Sequence, residues 1–172
     1  AAKTNAIASA GLVFIVTASF PYNPGEQFLE TEIPIWRVDY PGRIVLLPIA
    51  ARGVPRDVPE GVEVSQILAR TYRSGPARMA AVGAAFISEF FWREWGWLSR
   101  RKKLRPIYIL RALKAVAQVI LLKRALEKAE RKLGRPDLIY TYWFGFSTYA
   151  ATLLSPRRRV ISRAHGADLY EG

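Results

Sequence analysis

The only histidine of the chain, His165, lies in the segment SRAHGADLY together with several residues suited to ligand chemistry. An imidazole can donate a hydrogen bond to a phosphate oxygen or a sugar hydroxyl, and Arg163 adds a permanent cation nearby. Gly166 permits close approach of a ligand, and Asp168 could cap a following helix or orient the imidazole. The pattern indicates a group that faces phosphate or sugar more than a general base. The alternative is a surface or capped core histidine.

Other common chemistries find little support in the residue types. Ser147 lacks the glycine-flanked turn of a nucleophile elbow, so serine catalysis is not predicted. The chain has no cysteine, which excludes disulfides and thiolate metal sites. A single histidine with scattered carboxylates has no metal-ligand spacing. We therefore expect neither a metal nor a resident cofactor.

Two further segments, SFPYNPGEQF and YWFGFS, follow apolar runs that read as strands. The first lacks the glycine pattern of a dinucleotide site, although Gly25 and Glu26 could place backbone amides of a helix start near an anion. Gly25 could equally be a turn glycine only. In the second segment, Tyr142, Trp143 and Phe144 could offer a flat surface to a sugar ring or a lipid tail, although aromatic clusters are most often core.

These segments need a scaffold that brings them together, and the order of the predicted elements supplies one. Apolar, β-rich runs at 12–18, 43–50, 62–68, 136–143 and 157–164 predict strands. Helices are predicted at 26–33 (ending near Pro34), 75–98, 106–133 and 144–155. This alternation predicts an α/β fold with a doubly wound, mostly parallel sheet. The carboxyl ends of such strands meet at one edge, so we expect the three segments to converge on one crevice.

The length and charge of the chain bear on its domain organisation and on the kind of partner it binds. The 172 residues favour one domain over 11–172, preceded by a leader or flexible tail over 1–10. The formal net charge of +12 points to an anionic partner. The apolar runs are too short to predict a membrane-spanning helix.

The region 75–133 is both basic and rich in aromatic residues. Between 99 and 131 there are eleven Lys and Arg against two Glu. One interpretation is a solvated helix face beside core aromatics. The other is an interfacial segment on anionic lipid. Binding of nucleic acid is not favoured, because no module signature for it is present. The predicted membrane contacts are Trp92, Trp95, Trp97, Arg100, Arg101, Lys102, Lys103 and Arg105.

The segments FPYNPGEQFLETEIPIW, DLIYTYWFGFSTYAATLL and VISRAHGADLYEG together resemble the amino-terminal half of bacterial GT-B glycosyltransferases. The resemblance is greatest to the retaining, metal-independent family 4 enzymes. It covers nearly the whole chain from residue 12 to residue 172, and SRAHGADLYE is its most specific part. The family turn often holds a pair of glycines, whereas here Pro24 precedes a single Gly25.

The resemblance implies a Rossmann-like domain that holds the acceptor, with His165 pointing at the donor sugar and its phosphate. It implies that Gly25 and Glu26 border the donor phosphate and the acceptor. The partners would be a nucleotide-sugar donor, a polysaccharide or lipid-linked acceptor, and a second, carboxy-terminal Rossmann domain absent from this chain. Such an enzyme would lie in the cytoplasm, on the inner face of the plasma membrane. This chain alone should not catalyse the transfer.

Two alternatives stay open at this stage. One is a nucleotide-sugar enzyme of the same fold with different chemistry, such as an epimerase. The other is a stand-alone basic module that binds membranes or nucleic acid.

Overall fold

A computed structural model describes residues 11–22, 25–101, 105–154 and 158–164, which form a five-stranded sheet with helices on both faces. The elements in chain order are β1 Leu12–Thr17, α1 Leu29–Asp39, β2 Arg43–Pro48, β3 Val62–Val64, α2 Ile67–Arg73, α3 Gly75–Phe86, α4 Glu89–Arg100, α5 Pro106–Leu133, β4 Leu138–Thr141, α6 Phe146–Thr152 and β5 Arg159–Ser162. His165, Gly166, Asp168, Lys102, Lys103, Pro24 and the predicted leader lie outside the described residues.

The sheet is wholly parallel, with the strand order β3-β2-β1-β4-β5. The chain builds outward from β1 through β2 and β3, then returns across β1 to add β4 and β5. The switch in direction therefore lies between β1 and β4, where Val13 pairs with Leu138. This arrangement confirms the predicted α/β, doubly wound, Rossmann-like fold.

Alternate residues of the central strands supply two separate cores. Phe14 and Val16 pack with residues of α5 and α6 on one face, including Leu126. Val13 and Ile15 pack on the other face with residues of α1. Because both faces of a parallel strand are covered, β1 and β2 are apolar over 12–16 and 44–48, which is why they could be predicted from sequence.

Helix α5 is much longer than the sheet beneath it. Its 28 residues span about 42 Å, whereas a six-residue strand spans about 20 Å. The buried residues of α5 run from Ala117 to Ala129, and the first part of the helix has none. Since α5 leads into β4 at the amino edge of the sheet, its first half extends past the carboxyl edge, where α4 packs against it.

Three predicted elements differ from the observed ones. The first helix begins at Leu29 rather than residue 26 and continues through Pro34 to Asp39. Glu26 has a φ of 61°, which is incompatible with a right-handed helix. Pro34 is exposed, so water can satisfy the carbonyl that its missing N–H leaves free.

The other two differences concern apolar runs without a clear period. The predicted strand 62–68 ends at Val64, and Leu68 belongs to α2, where it packs into the core of the α5 face. The predicted helix 75–98 is two helices, because Ser88 caps α4 through a bond from the Phe91 N–H to its Oγ (3.4 Å). Strand and helix ends elsewhere shift by a few residues, and α5 matches its predicted bounds.

None of the helices in the described ranges is long and apolar enough to cross a membrane.

Packing of α5 on the sheet should dominate stability. We expect Leu126→Ala to lower the free energy of unfolding by about 2–5 kcal/mol, because Leu126 is fully buried and truncation leaves a cavity. Leu110→Ala is the matched control, since Leu110 lies on the same helix but is 61% exposed. It should change stability by less than about 0.5 kcal/mol. Urea denaturation followed by circular dichroism measures both, and equal effects would contradict this account of α5.

Candidate functional site

The loop after β1 is organised around the carboxylate of Glu26. Its Oε1 accepts from the Ala18 N–H (2.9 Å), and its Oε2 accepts from the N–H groups of Ser19 (2.8 Å) and Phe20 (2.7 Å). The side chain is 7% exposed in total. A buried carboxylate is tolerated only when its oxygens are well bonded, and these charge-assisted bonds meet that need.

The same carboxylate also binds the loop after β4. The indole N–H of Trp143 donates to Glu26 Oε1 at 2.7 Å. Since β1 and β4 flank the point where the strand order reverses, this bond spans the crevice in which ligands of open α/β sheets bind. The structure thus brings together two of the three predicted segments through one side chain.

Glu26 adopts this position at a conformational cost. Its φ of 61° lies in the left-handed region, which costs a non-glycine residue on the order of 1–3 kcal/mol. Charge-assisted hydrogen bonds typically contribute about 1.5–3 kcal/mol each, so the bonds to Glu26 can offset the strain. Such over-determined strain is typical of positions where geometry matters for function.

The amides at the start of this loop and at the start of α1 bond within the protein. Those of residues 18–20 bind Glu26, and the first amides of α1 donate to carbonyls of the preceding turn, as Leu29 N–H does to Glu26 O (3.0 Å). The carbonyl of Gly25 accepts from Arg56 Nη2 at 2.7 Å. The hydrogen bonds observed here do not include a contact between an anion and the amides at Gly25. That contact stays a prediction.

The third segment enters through Arg163, directly after β5. Its Nη1 donates to Glu32 Oε2 (2.6 Å) and to the Tyr142 hydroxyl (3.3 Å), and the guanidinium lies 5.3 Å from the centre of the Tyr142 ring. Tyr140 also donates to Glu32, at 3.3 Å. Burial, with the negative charge of Glu32, raises the pKa of Tyr140 to about 12. Both tyrosines at this edge therefore stay protonated, since burial also raises the pKa of Tyr142.

The three predicted aromatic residues are placed differently from one another. Tyr142 is 1% exposed and stacks on Phe28 with ring centres 5.4 Å apart. Trp143 is half-buried, and its indole N–H donates to Glu26. Phe144 is 56% exposed, so it presents apolar surface beside the crevice. Direct contact of a ligand with these rings stays a prediction, and Phe144 has the most accessible ring.

A cluster of hydroxyl groups holds the loop after β4 against β5. Thr148 Oγ1 lies 2.7 Å from Thr141 Oγ1 and 3.0 Å from Ser162 Oγ, and it donates to the Trp143 carbonyl at 3.1 Å. Sequence reasoning did not select Thr148, Glu32 or Phe28. The acidic residues at the start of α1 were visible in the sequence, but their partners were not.

The aromatic helix α4 does not present its tryptophans on one face. Trp92 and Trp97 are exposed, but they lie about 140° apart around the helix. Trp95 is half-buried, with its ring centre 6.1 Å from that of Phe91. Arg100 and Arg105 are exposed, and the Arg101 guanidinium lies 4.8 Å from the centre of the Trp97 ring.

Next to α4, helix α3 carries an exposed apolar stripe that the sequence analysis missed. Its spacing of three and four residues places the side chains on one side of α3. The signal was present in the sequence, but it could not be distinguished from a core stripe before the buried face of α3 was known. The exposed residues of the stripe and of the adjoining α3–α4 turn and α4 are Met79, Val82, Phe86, Ile87 and Trp92.

Comparison of the chain with family models, with curated proteins and with solved structures finds no significant match.

The Glu26 arrangement can be tested with Glu26→Gln. The amide nitrogen cannot accept a hydrogen bond, so at least one pair of donors facing an oxygen of Glu26 would lose its acceptor. We expect the free energy of unfolding to fall by about 2–4 kcal/mol, with a change in tryptophan fluorescence. Glu60→Gln, at an exposed position, is the matched control and should have almost no effect. Equal stability of the two variants in urea would refute the central role of Glu26.

Proposed function

We propose that this chain is the acceptor-side Rossmann-like domain of a GT-B glycosyltransferase. The enzyme would transfer a sugar from a nucleotide-sugar to a cell-surface polysaccharide or lipid-linked acceptor, with a second Rossmann domain supplying most of the donor site. The observation that carries the proposal is the Glu26 carboxylate, which joins the loops after β1 and β4 at the switch point of the sheet. The sequence resemblance supplies the reaction class.

The described residues of this edge suit a carbohydrate acceptor. Phe144 offers an exposed aromatic ring, a surface on which the apolar face of a sugar can pack. Arg163 offers a cation at the end of β5, held by Glu32 and Tyr142. Glu26 is a positioning residue, because its oxygens are engaged with the loops.

The reaction joins an acceptor hydroxyl oxygen to the anomeric carbon of the donor sugar, while the bond from that carbon to the nucleotide phosphate breaks. The leaving phosphate carries away the electron pair, and the hydroxyl proton is released. His165 is assigned to the donor sugar and its phosphate by the resemblance, and it follows Arg163 by two residues. The nucleotide-sugar is a substrate here, and the mechanism uses no metal.

The transferase proposal can be tested on the natural polypeptide, captured from source cells with an antibody against this chain. We expect a mass about twice the 19.4 kDa of the chain. It should transfer radiolabelled sugar from one member of a panel of nucleotide-sugars to membranes of the same cells. Arg163→Gln should lower kcat/KM roughly 10- to 100-fold, the effect of losing one charged contact.

Arg159→Gln is the matched control for this test, because Arg159 lies at the opposite end of β5 and is exposed. It should leave the rate unchanged. A polypeptide of only the present mass, without transfer to any acceptor, would refute the transferase proposal and favour a stand-alone module.

We also propose that the domain docks peripherally on an anionic membrane through the α3 stripe and its surroundings. The five exposed apolar residues lie on α3, the α3–α4 turn and α4, and the exposed Arg93, Arg100 and Arg101 lie on α4 or directly after it, together with the exposed Glu89 and Glu94. Exposed apolar patches with basic residues nearby are typical of membrane or partner contact. Each basic residue near an anionic surface contributes about 1 kcal/mol. Docking here would bring the carboxyl edge of the sheet close to a lipid-linked acceptor.

This docking predicts salt-sensitive flotation with liposomes that contain phosphatidylglycerol and none with neutral liposomes. Ile87→Glu should weaken binding roughly tenfold or more, because Ile87 is 79% exposed at the end of the stripe. Val54→Glu is the control, at a position 85% exposed on a loop away from α3. Equal loss in both variants would indicate a general charge effect and contradict docking through the stripe.

A further inference from the structure

A large apolar cleft lies between the middle of α5, helix α6 and the junction of α3 with α4. Its volume is about 970 Å³, at the upper end of the range for small-molecule sites. Ala84 and Ser88 line it at the junction, whereas the exposed stripe of α3 does not. This first cleft is therefore distinct from the α3 stripe, whereas the second cleft described below shares Trp92, Arg93 and Arg100 with the proposed membrane surface.

The walls of this cleft suit a hydrocarbon. The larger apolar side chains of the lining include Val116, Ile120, Phe144, Phe146 and Leu153, and the hydroxyl-bearing residues that line it are Ser88, Thr148, Tyr149 and Thr152. The charged residues at one end are Lys123, Arg124 and Glu127, and Lys123 pairs with Glu127 at 3.0 Å. Apolar surface of this extent is stabilised when a hydrocarbon replaces water.

A second cleft of about 870 Å³ continues from the first along α5. The two share Phe90, Ala115, Val116 and Tyr149 as lining residues. Together they follow α5 from Tyr108 to Glu127, a distance of about 28 Å at the rise of an α-helix. One leaflet of a bilayer core is about 15 Å thick, so this groove can hold a single extended lipid chain.

The two ends of the groove differ in charge. Arg93, Arg100 and Arg111 line the second cleft, where Glu94 is the one acidic residue among the described lining residues. At the other end, the Lys123–Glu127 pair leaves Arg124 as the excess charge. An anionic head is therefore best accommodated at the α4 end, with its chain directed toward Phe144.

We propose that this groove binds one hydrocarbon chain of an anionic amphiphile. The head lies against Arg93, Arg100 and Arg111, and the tail runs along α5 to Phe144 and Phe146. This inference goes beyond the proposed function, because binding needs neither a sugar donor nor a second domain. It also places the tail beside the carboxyl edge of the sheet, since Phe144 follows β4.

The test is titration of the full chain with oleate below its micelle concentration, by calorimetry. We expect saturable binding of one oleate per chain. Ala115→Trp fills the cleft shared by both halves of the groove and should abolish this binding. Ala80→Trp is the matched control, on the exposed surface of α3 outside both clefts, and should bind as the parent does. Thermal melts of both variants establish that they remain folded.

The head position is tested by Arg93→Gln with Arg111→Gln. Loss of both charges should weaken the binding of oleate roughly thirtyfold. Binding of oleyl alcohol, which has the same chain and no charge, should not change. Equal affinity of the parent for both compounds would overturn the assigned head site.

Sedimentation of the full chain tests whether a second copy of the chain, instead of a hydrocarbon, occupies the groove. A dimer that Ala115→Trp dissociates, with no oleate binding, would show that a second copy fills the groove and would overturn the proposal. Absence of oleate binding in a folded monomer would also overturn the proposal. Neither result bears on sugar transfer, which is measured separately with the natural polypeptide.

Discussion

The carboxylate of Glu26 is the interaction on which the carboxyl edge of this domain depends. It lies almost out of contact with water, in a backbone conformation that glutamate rarely adopts, and it holds N–H groups from the loops after β1 and β4. Removing a carboxylate from water costs free energy that only close donors can offset. The two loops are therefore fixed relative to each other, and the crevice at the switch point has a defined wall.

Around this wall, polar and apolar surfaces lie side by side. Arg163 and Glu32 close the α1 side, over the buried ring of Tyr142. Phe144 turns to the opposite side and belongs to the groove along α5. A short segment after β4 thus contributes to both surfaces, because Thr148 holds it through hydroxyl contacts to Thr141 and Ser162.

The parts of the fold that could be predicted are those in which local pattern and tertiary environment agree. The apolar runs of β1 and β2 indicate burial on both faces, and the fold buries them so. Helix α5 begins after Arg105 with a proline at its first position and ends at Leu133, before Gly134, whose φ of 102° suits glycine. The split between α3 and α4 was missed, because the cap at Ser88 interrupts an otherwise continuous helical pattern.

The convergence of the three segments on the carboxyl edge was predicted, whereas most of their contacts were not. Strand order places the segments at one edge, so the grouping of Glu26, Trp143 and Arg163 follows from a parallel sheet. The roles of their neighbours do not follow, because a bond such as that from Trp143 to Glu26 joins residues 117 positions apart. Pairing at that separation depends on side-chain directions that no local pattern encodes.

The sequence by itself determined the class of the fold, the direction of its strands and the edge at which its unusual residues meet. Those properties depend on periodicity, glycine and proline positions and element order, which are local or topological. Tertiary structure alone decided that Glu26 turns inward, that Tyr142 is buried, and that a groove runs along most of α5. Each of these depends on which surfaces neighbouring elements cover, because burial and hydrogen-bond partners are set by packing between distant segments.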